Sequence, residues 1–257
     1  MTRRIALIAL VACVAAVAPA QATSLSLEGT ALRATLTDGT SLSGREWIGR
    51  ELLLPIGNEV LGVRIDDVQE EAGLALYEMR AQDDAGEWNN ICEPDANGEG
   101  GAIPLGGSWS DDGRFEPDAG KLALTCTSGV LGKCLRAGYR FWDPDAKALP
   151  RFQACTRLFR ADYCGDGTGW TADGTLIDVY DDAGVQSPEP RSELAFEAGW
   201  SPAGAVSVHH TRVPANIGLD ELLRRCPRLA AAPSGEDCTE DRSRRDGAIL
   251  FNKSRER

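Results

Sequence analysis

PRFQACTRLFRADYCGDG, residues 150–167, decides how this 257-residue chain is read. Phe152, Cys155, Phe159 and Tyr163 recur at the three- to four-residue spacing of one helix face, while Arg151, Arg157 and Arg160 lie off that stripe. Pro150 suits the first helical turn, and Gly165 stands where a left-handed residue ends a helix. Asp162 then falls in the last helical turn, where the helix dipole disfavours an acid, so a partner is expected: Arg160, Arg212, or the amides of the Gly165–Gly167 loop. Cys164 sits at the negative end of the dipole, which opposes a thiolate and favours a disulfide over a nucleophile.

Upstream, a shorter helix is predicted after an N-cap at Thr127 or Ser128, burying Val130, Leu131, Cys134 and Leu135. A Cys134–Cys155 bridge would join the apolar faces of the two helices. Downstream, Pro202-Ala203-Gly204 joins two strands, Phe196–Trp200 and Ala205–His209, and Asp173-Gly174 turns into Thr175–Tyr180. The first part of the chain alternates as strands instead. Leu32, Ala34 and Leu36 share a face before an Asp38-Gly39 turn; Leu61, Val63 and Ile65 form another face, and Ala75, Tyr77 and Met79 a third. These predict a small antiparallel sheet or partial barrel. Residues 91–120, rich in Gly, Pro and Asp, read as a long loop. The predicted class is α+β: a β-rich N-terminal portion, then a disulfide-stapled core of two short helices and antiparallel hairpins. The predicted divisions are a leader (1–22), a β-rich region (23–90), a core domain (91–215) and a C-terminal extension (216–257).

The leader has the form of a secretory signal peptide: Arg3 and Arg4, an apolar run from Ile5 to Val17, and small residues before Gln21 or Thr23. Leu10-Val11-Ala12-Cys13 also fits a lipobox, which would make Cys13 a lipid anchor, and Arg3-Arg4 hints at twin-arginine export. Ordinary secretion, to the periplasm or the medium, is the reading that the length of the apolar run favours. Beyond residue 20 nothing approaches a membrane span. With a net charge of −12, made more negative by loss of the leader arginines, the acidic chain is a poor partner for nucleic acid or anionic lipid. In an oxidising compartment Cys92, Cys126, Cys134, Cys155, Cys164, Cys226 and Cys238 read as a disulfide framework with one thiol left over. Cys226 and Cys238 bracket a Pro- and Ala-rich loop and are expected to close it. No cysteine pair has C-x-x-C spacing, so no metal site is predicted there.

No nucleotide, metalloprotease or serine-hydrolase motif occurs, and no cofactor is implied. Asp95, Asn97, Glu99 and Gly100 match the start of a calcium loop, but its twelfth position is Gly106. Asn252-Lys253-Ser254 fits a glycosylation triplet and is read as chance. His209 and His210 are the only histidines; on a strand they face opposite sides and cannot share a metal. The candidate catalytic set is therefore His210 as acid or base, Asp162 or Asp178 as its orienter, and Arg212 as an anion grip.

Gln153-Ala154-Cys155-Thr156-Arg157 and Arg160-Ala161-Asp162-Tyr163-Cys164-Gly165-Asp166-Gly167 resemble the ADYC domain family of secreted bacterial proteins. Cys126-Thr127-Ser128-Gly129, Lys133-Cys134, Gly138-Tyr139 with Trp142, Asp173 to Asp178 and His210-Thr211-Arg212 are similar to it as well, over roughly residues 88–215. The resemblance implies a compartment and a scaffold rather than a reaction. Phe152 stands where the family pattern has His, and Ser207 where it has Cys. Loss of that cysteine would leave its former partner as the free thiol. A non-catalytic binding module of the envelope or extracellular space, with a protein or carbohydrate partner, is the leading expectation; a secreted hydrolase or transferase using His210 is the alternative.

Overall fold

The computed structural model describes residues 16–17, 22–56, 59–94, 98, 100–110, 113–118, 120–191 and 193–256. The expected leader lies outside them apart from Ala16, Val17 and Ala22, as do Cys13 and the oxygen ligands Asp95, Asn97 and Glu99 of the calcium-like loop. The chain divides into two compact units, Met1–Gly132 and Lys133–Arg257. Residues 91–132 thus fall with the first unit, and the last forty residues with the second.

The first unit is built of β1 (Ala16–Val17), β2 (Ala22–Glu28), β3 (Ala31–Leu36), β4 (Ser41–Ser43), β5 (Glu51–Ile56), β6 (Glu59–Glu71), β7 (Leu74–Gln82), β8 (Trp88–Asn90), β9 (Ala102–Gly106), β10 (Ser108–Trp109), β11 (Phe115–Glu116) and β12 (Leu122–Cys126). One antiparallel sheet runs β1-β5-β6-β7-β9-β12 with β8 also on β7; β2-β3-β4 and β10-β11 form smaller ones. The alternation holds for Leu32, Ala34 and Leu36, and for Val63 and Ile65, with Leu61 half-buried. β7 buries Tyr77 and Met79 as expected but also Leu74 and Leu76 on its other face, so it is not one-sided, and Ala75 is half-buried. Tyr77 accepts a hydrogen bond from the Leu32 amide (2.8 Å), tying β3 to β7, and Trp47 donates to the Leu32 carbonyl (3.0 Å), tying β3 to the helical turn after β4; both rings are fully buried. Each such aromatic contributes a few kcal/mol of buried apolar area, about 25 cal/mol per Å² over some 150–250 Å².

The expected long loop at 91–120 contains strands instead. Ala102, Ile103 and Leu105 are fully buried, and Pro104 is tolerated because β9 meets β7 only at the Tyr77–Ala102 register. A Cys92–Cys126 disulfide clips this excursion at its base.

The second unit holds α2 (Ala148–Arg160), β13 (Ile177–Asp181), β14 (Ala195–Ser201), β15 (Gly204–Val208), α3 (Leu219–Arg225), α4 (Pro227–Ala230), α5 (Glu240–Arg245) and β16 (Leu250–Ser254), while α1 (Val130–Arg136) straddles the boundary. Its sheet runs β13-β16-β14-β15, antiparallel throughout. The strand that follows Asp173-Gly174 therefore pairs with the chain's last strand rather than with a neighbour in sequence. Helices and antiparallel sheets together make the protein α+β.

α1 and α2 are bridged by Cys134–Cys155. α2 begins at Ala148, so Pro150 lies in the first turn, where an amide has no intrahelical acceptor. It ends at Arg160, earlier than the apolar stripe suggests, because Ala161 is left-handed (φ 52°). Asp162 and Cys164 are therefore loop residues, and the dipole reasoning about them does not apply. Arg157, expected off the buried stripe, is 3% exposed.

Candidate functional site

The loop after α2 is organised by Asp162. Its carboxylate accepts from the amides of Gly165 (2.8 Å), Asp166 (3.1 Å) and Gly167 (2.9 Å), and pairs with Arg157 Nη1 at 2.6 Å. Loop capping is one of the roles its sequence position allows, but the cation is Arg157, one turn back on the same chain segment. Arg157 also donates through Nε to the Pro202 carbonyl (3.1 Å), and Arg160 to that of Gly167. Gly165 is obligatory twice over: φ is +75°, and a Cβ there would stand 2.0 Å from the Ala203 carbonyl oxygen.

Cys164 is bonded to Cys226, not left as a nucleophile, and the expected Cys226–Cys238 closure does not form. The reason is the docking of α4: Arg228 donates to the carbonyls of Tyr163 (3.1 Å), Ala203 (3.0 Å) and Ala205 (2.6 Å), which brings Cys226 against the loop. Among the described cysteines Cys238 is the free thiol, and it is buried. Burial pushes it up, against the hydroxyls of Ser207 and Ser243, which pull it down. The unpaired sulfur is thus beside Ser207, the position where the resemblance leads one to expect a cysteine.

Behind the loop lies a buried polar hub that the sequence does not announce. Glu197, fully buried, accepts from Tyr163 Oη (3.0 Å), Asn252 Nδ2 (2.6 Å), and Arg212 Nε and Nη2 (3.1 Å each). Arg212 spends its remaining donors on Leu158 O (2.9 Å), Phe159 O (3.3 Å) and Thr171 Oγ1 (3.4 Å), and its amide donates to Tyr163 Oη (2.8 Å). With its side chain 1% exposed, Arg212 has no face to offer an anion. Burial, then the nearby Glu197 charge, drives the Tyr163 phenol well above its ordinary value. Asn252 completes the hub by accepting from Trp200 Nε1 (2.7 Å), which buries the asparagine of the glycosylation triplet. Asp178 accepts from the Glu189 amide (3.2 and 3.1 Å) and lies 3.6 Å from Lys253 Nζ. No hydrogen bond joins His210 to Asp162 or Asp178 among the described residues, so the candidate acid–base couple is not assembled.

The two histidines depart most from the strand expectation. β15 ends at Val208, and His209 and His210 occupy a bend, with their rings edge to face at 5.8 Å between centroids. They therefore do not point to opposite sides. One ring nitrogen of each, together with a carboxylate oxygen of Glu256, lie within 4.8 Å of one another. His209 Nδ1 faces the carbonyls of Gly235 (2.8 Å) and Cys238 (3.2 Å), while Nε2 is 3.8 Å from Glu256. His210 Nε2 lies 3.1 Å from Ser254 Oγ, and its buried Nδ1 has no hydrogen-bond partner. Burial lowers the His210 pKa, outweighing the opposite pull of Glu197 and Glu256.

The first unit carries a different feature, an open cleft of about 710 Å³ lined by Glu28, Arg33, Arg45, Gln69, Glu70 and Tyr77 among others. No helix among the described residues is long and apolar enough to cross a membrane.

Of the residues in the polar hub and the histidine cluster, Glu197 and Glu256 are absent from the sequence reading, and Asn252 enters it only through the glycosylation triplet. The available signal for Glu197 is an acid embedded in the apolar run Ala195–Trp200. No curated protein and no solved structure matches the chain. The family model of the ADYC domain matches residues 33–214, taking in most of the N-terminal strands as well as the Ala161–Cys164 loop. The chain belongs to the ADYC domain family.

Proposed function

We propose that this is an exported, disulfide-stabilised binding module of the cell envelope or extracellular space, non-catalytic, with a protein or carbohydrate partner. One observation carries the reading: the charged side chains best suited to catalysis are consumed by the fold, Arg212 by Glu197 and Asp162 by Arg157 and three loop amides. Three disulfides fit an oxidising compartment. The cleft between Arg33, Arg45 and Glu70 has the size of an ordinary ligand pocket, which runs about 300–1,000 Å³.

Two measurements test it. The protein produced with its own N-terminus in a bacterial host should be recovered from the periplasm or medium, starting at Gln21 or Thr23, with one alkylatable cysteine before reduction. The purified protein should bind isolated envelope polysaccharide or surface protein saturably, with Arg33→Glu and Arg45→Glu weakening binding. It should turn over no member of a panel of chromogenic esters, phosphoesters, glycosides and peptides. Turnover abolished by His210→Ala with an unchanged melting curve would overturn the binding reading in favour of a hydrolase or transferase.

A further inference from the structure

We propose that His209, His210 and Glu256 hold one divalent transition-metal ion of the zinc or copper class, a site independent of the binding reading above.

Topology brings the three residues together. β15 and β16 each pair antiparallel with β14, so they run in the same direction and end at the same rim of the sheet. His209 and His210 follow the end of β15, and Glu256 follows the end of β16. The donors lie within 4.8 Å of one another, and His209 Nε2 is 3.8 Å from the Glu256 carboxylate. Donors placed 2.0–2.1 Å from a tetrahedral ion stand about 3.4 Å apart, so modest closure suffices. Glu256, whose side chain is 58% exposed, is free to provide it.

The chemistry of the rings points the same way. Carbonyl oxygens only accept, so the two that face His209 Nδ1 require that nitrogen to carry the proton. The lone pair then sits on Nε2, toward Glu256. A backbone carbonyl holding the distal N–H is the usual outer support of a metal-bound imidazole. On His210, Nε2 lies 3.1 Å from Ser254 Oγ and Nδ1 is buried without a hydrogen-bond partner, so the ring keeps a nitrogen that no hydrogen bond occupies. Two imidazoles and one carboxylate form a donor set of the borderline kind that suits zinc and copper better than calcium or magnesium. Three protein donors leave a coordination position for water or for a group on a partner.

The test uses tag-free, oxidised protein stripped with a chelator and desalted. Titration with zinc should show one saturable site. His209→Gln should abolish it, and Glu256→Gln, at an exposed position that the fold does not use, should weaken it by at least about tenfold. At equal zinc concentration the melting temperature should rise more for the wild type than for the Glu256→Gln protein. With copper, electron paramagnetic resonance should show coupling to two imidazole nitrogens, reduced to one in His210→Gln. Failure to saturate below about 100 μM zinc, or wild-type affinity in both His209→Gln and Glu256→Gln, would overturn the site and leave the binding-module reading untouched.

Discussion

Removing the Glu197 carboxylate should cost the second unit about 3–5 kcal/mol, the range for breaking a buried ion pair from one side. The magnitude follows from what Glu197→Ala leaves behind. Arg212 would keep its bonds to Leu158, Phe159 and Thr171 but lose its counter-charge while its side chain stays 1% exposed. Tyr163 Oη and Asn252 Nδ2 would each lose an acceptor inside the same closed space. For a unit of this size, Lys133–Arg257, the loss corresponds to a fall in Tm of roughly 10–20 °C. Arg212→Met should cost a similar amount, since it strands the carboxylate instead. The double variant should lose less than the sum by at least about 2 kcal/mol, because it strands neither charge. Urea unfolding at neutral pH with the disulfides intact gives the three free energies. Tryptophan fluorescence reports them, since Trp200 stacks on Tyr163 and donates to Asn252. Single losses under about 1 kcal/mol that simply add would refute the reasoning. They would mean that Arg212 is solvated, and would restore it as a grip for an anionic ligand.

Other consequences are as direct. The chain's four tyrosines, Tyr77, Tyr139, Tyr163 and Tyr180, all have phenols pushed up, with burial the largest cause. Their contribution to stability is complete below the unfolded value near pH 10 and is lost as pH rises toward the folded values, at up to about 1.4 kcal/mol per pH unit per tyrosine; tyrosinate absorbance in the folded protein with a midpoint near pH 10 would contradict this. Ala72 and Gly73 form the two-residue turn between β6 and β7 with φ of 50° and 75°, a pairing that favours Asn-Gly, so Ala72→Asn should raise stability by about 0.5–1 kcal/mol and an unchanged or lower Tm would count against it. Ser207→Cys should pair with Cys238 as a fourth disulfide, taking the free thiols in denaturant to zero and adding about 2–4 kcal/mol; two titratable thiols would show that the positions do not face each other.

What could be read from the sequence, and what could not, divides along the range of the interaction that decides each feature. The helix that begins before Phe152, and the strands around Leu32, Val63 and Tyr77, carry their period within a dozen residues, and there the pattern is sufficient. Helix ends and turns are already less secure: a single left-handed residue, Ala161, ends α2 and makes Asp162 a loop anchor instead of a misplaced helical acid. Features decided by distant pairing were out of reach. Local loop closure favours Cys226–Cys238, yet Arg228 docks α4 on three carbonyls, and the bridge spans 62 residues to Cys164. Glu197 is hidden for a similar reason. Opposite β16 the register runs from Phe196–Lys253 to Ala198–Asn252, so Glu197 is the extra residue of a bulge, and alternation along β14 cannot say which way it turns. The same strand sets the limit on the histidines. The last β14–β15 pair is Ala198–Val208, after which the period-two rule lapses and both rings reach one rim. A site made from the ends of β15 and β16 depends on where a third strand stops pairing. Its residues therefore read as isolated histidines and a terminal acid until the ladder between them is known.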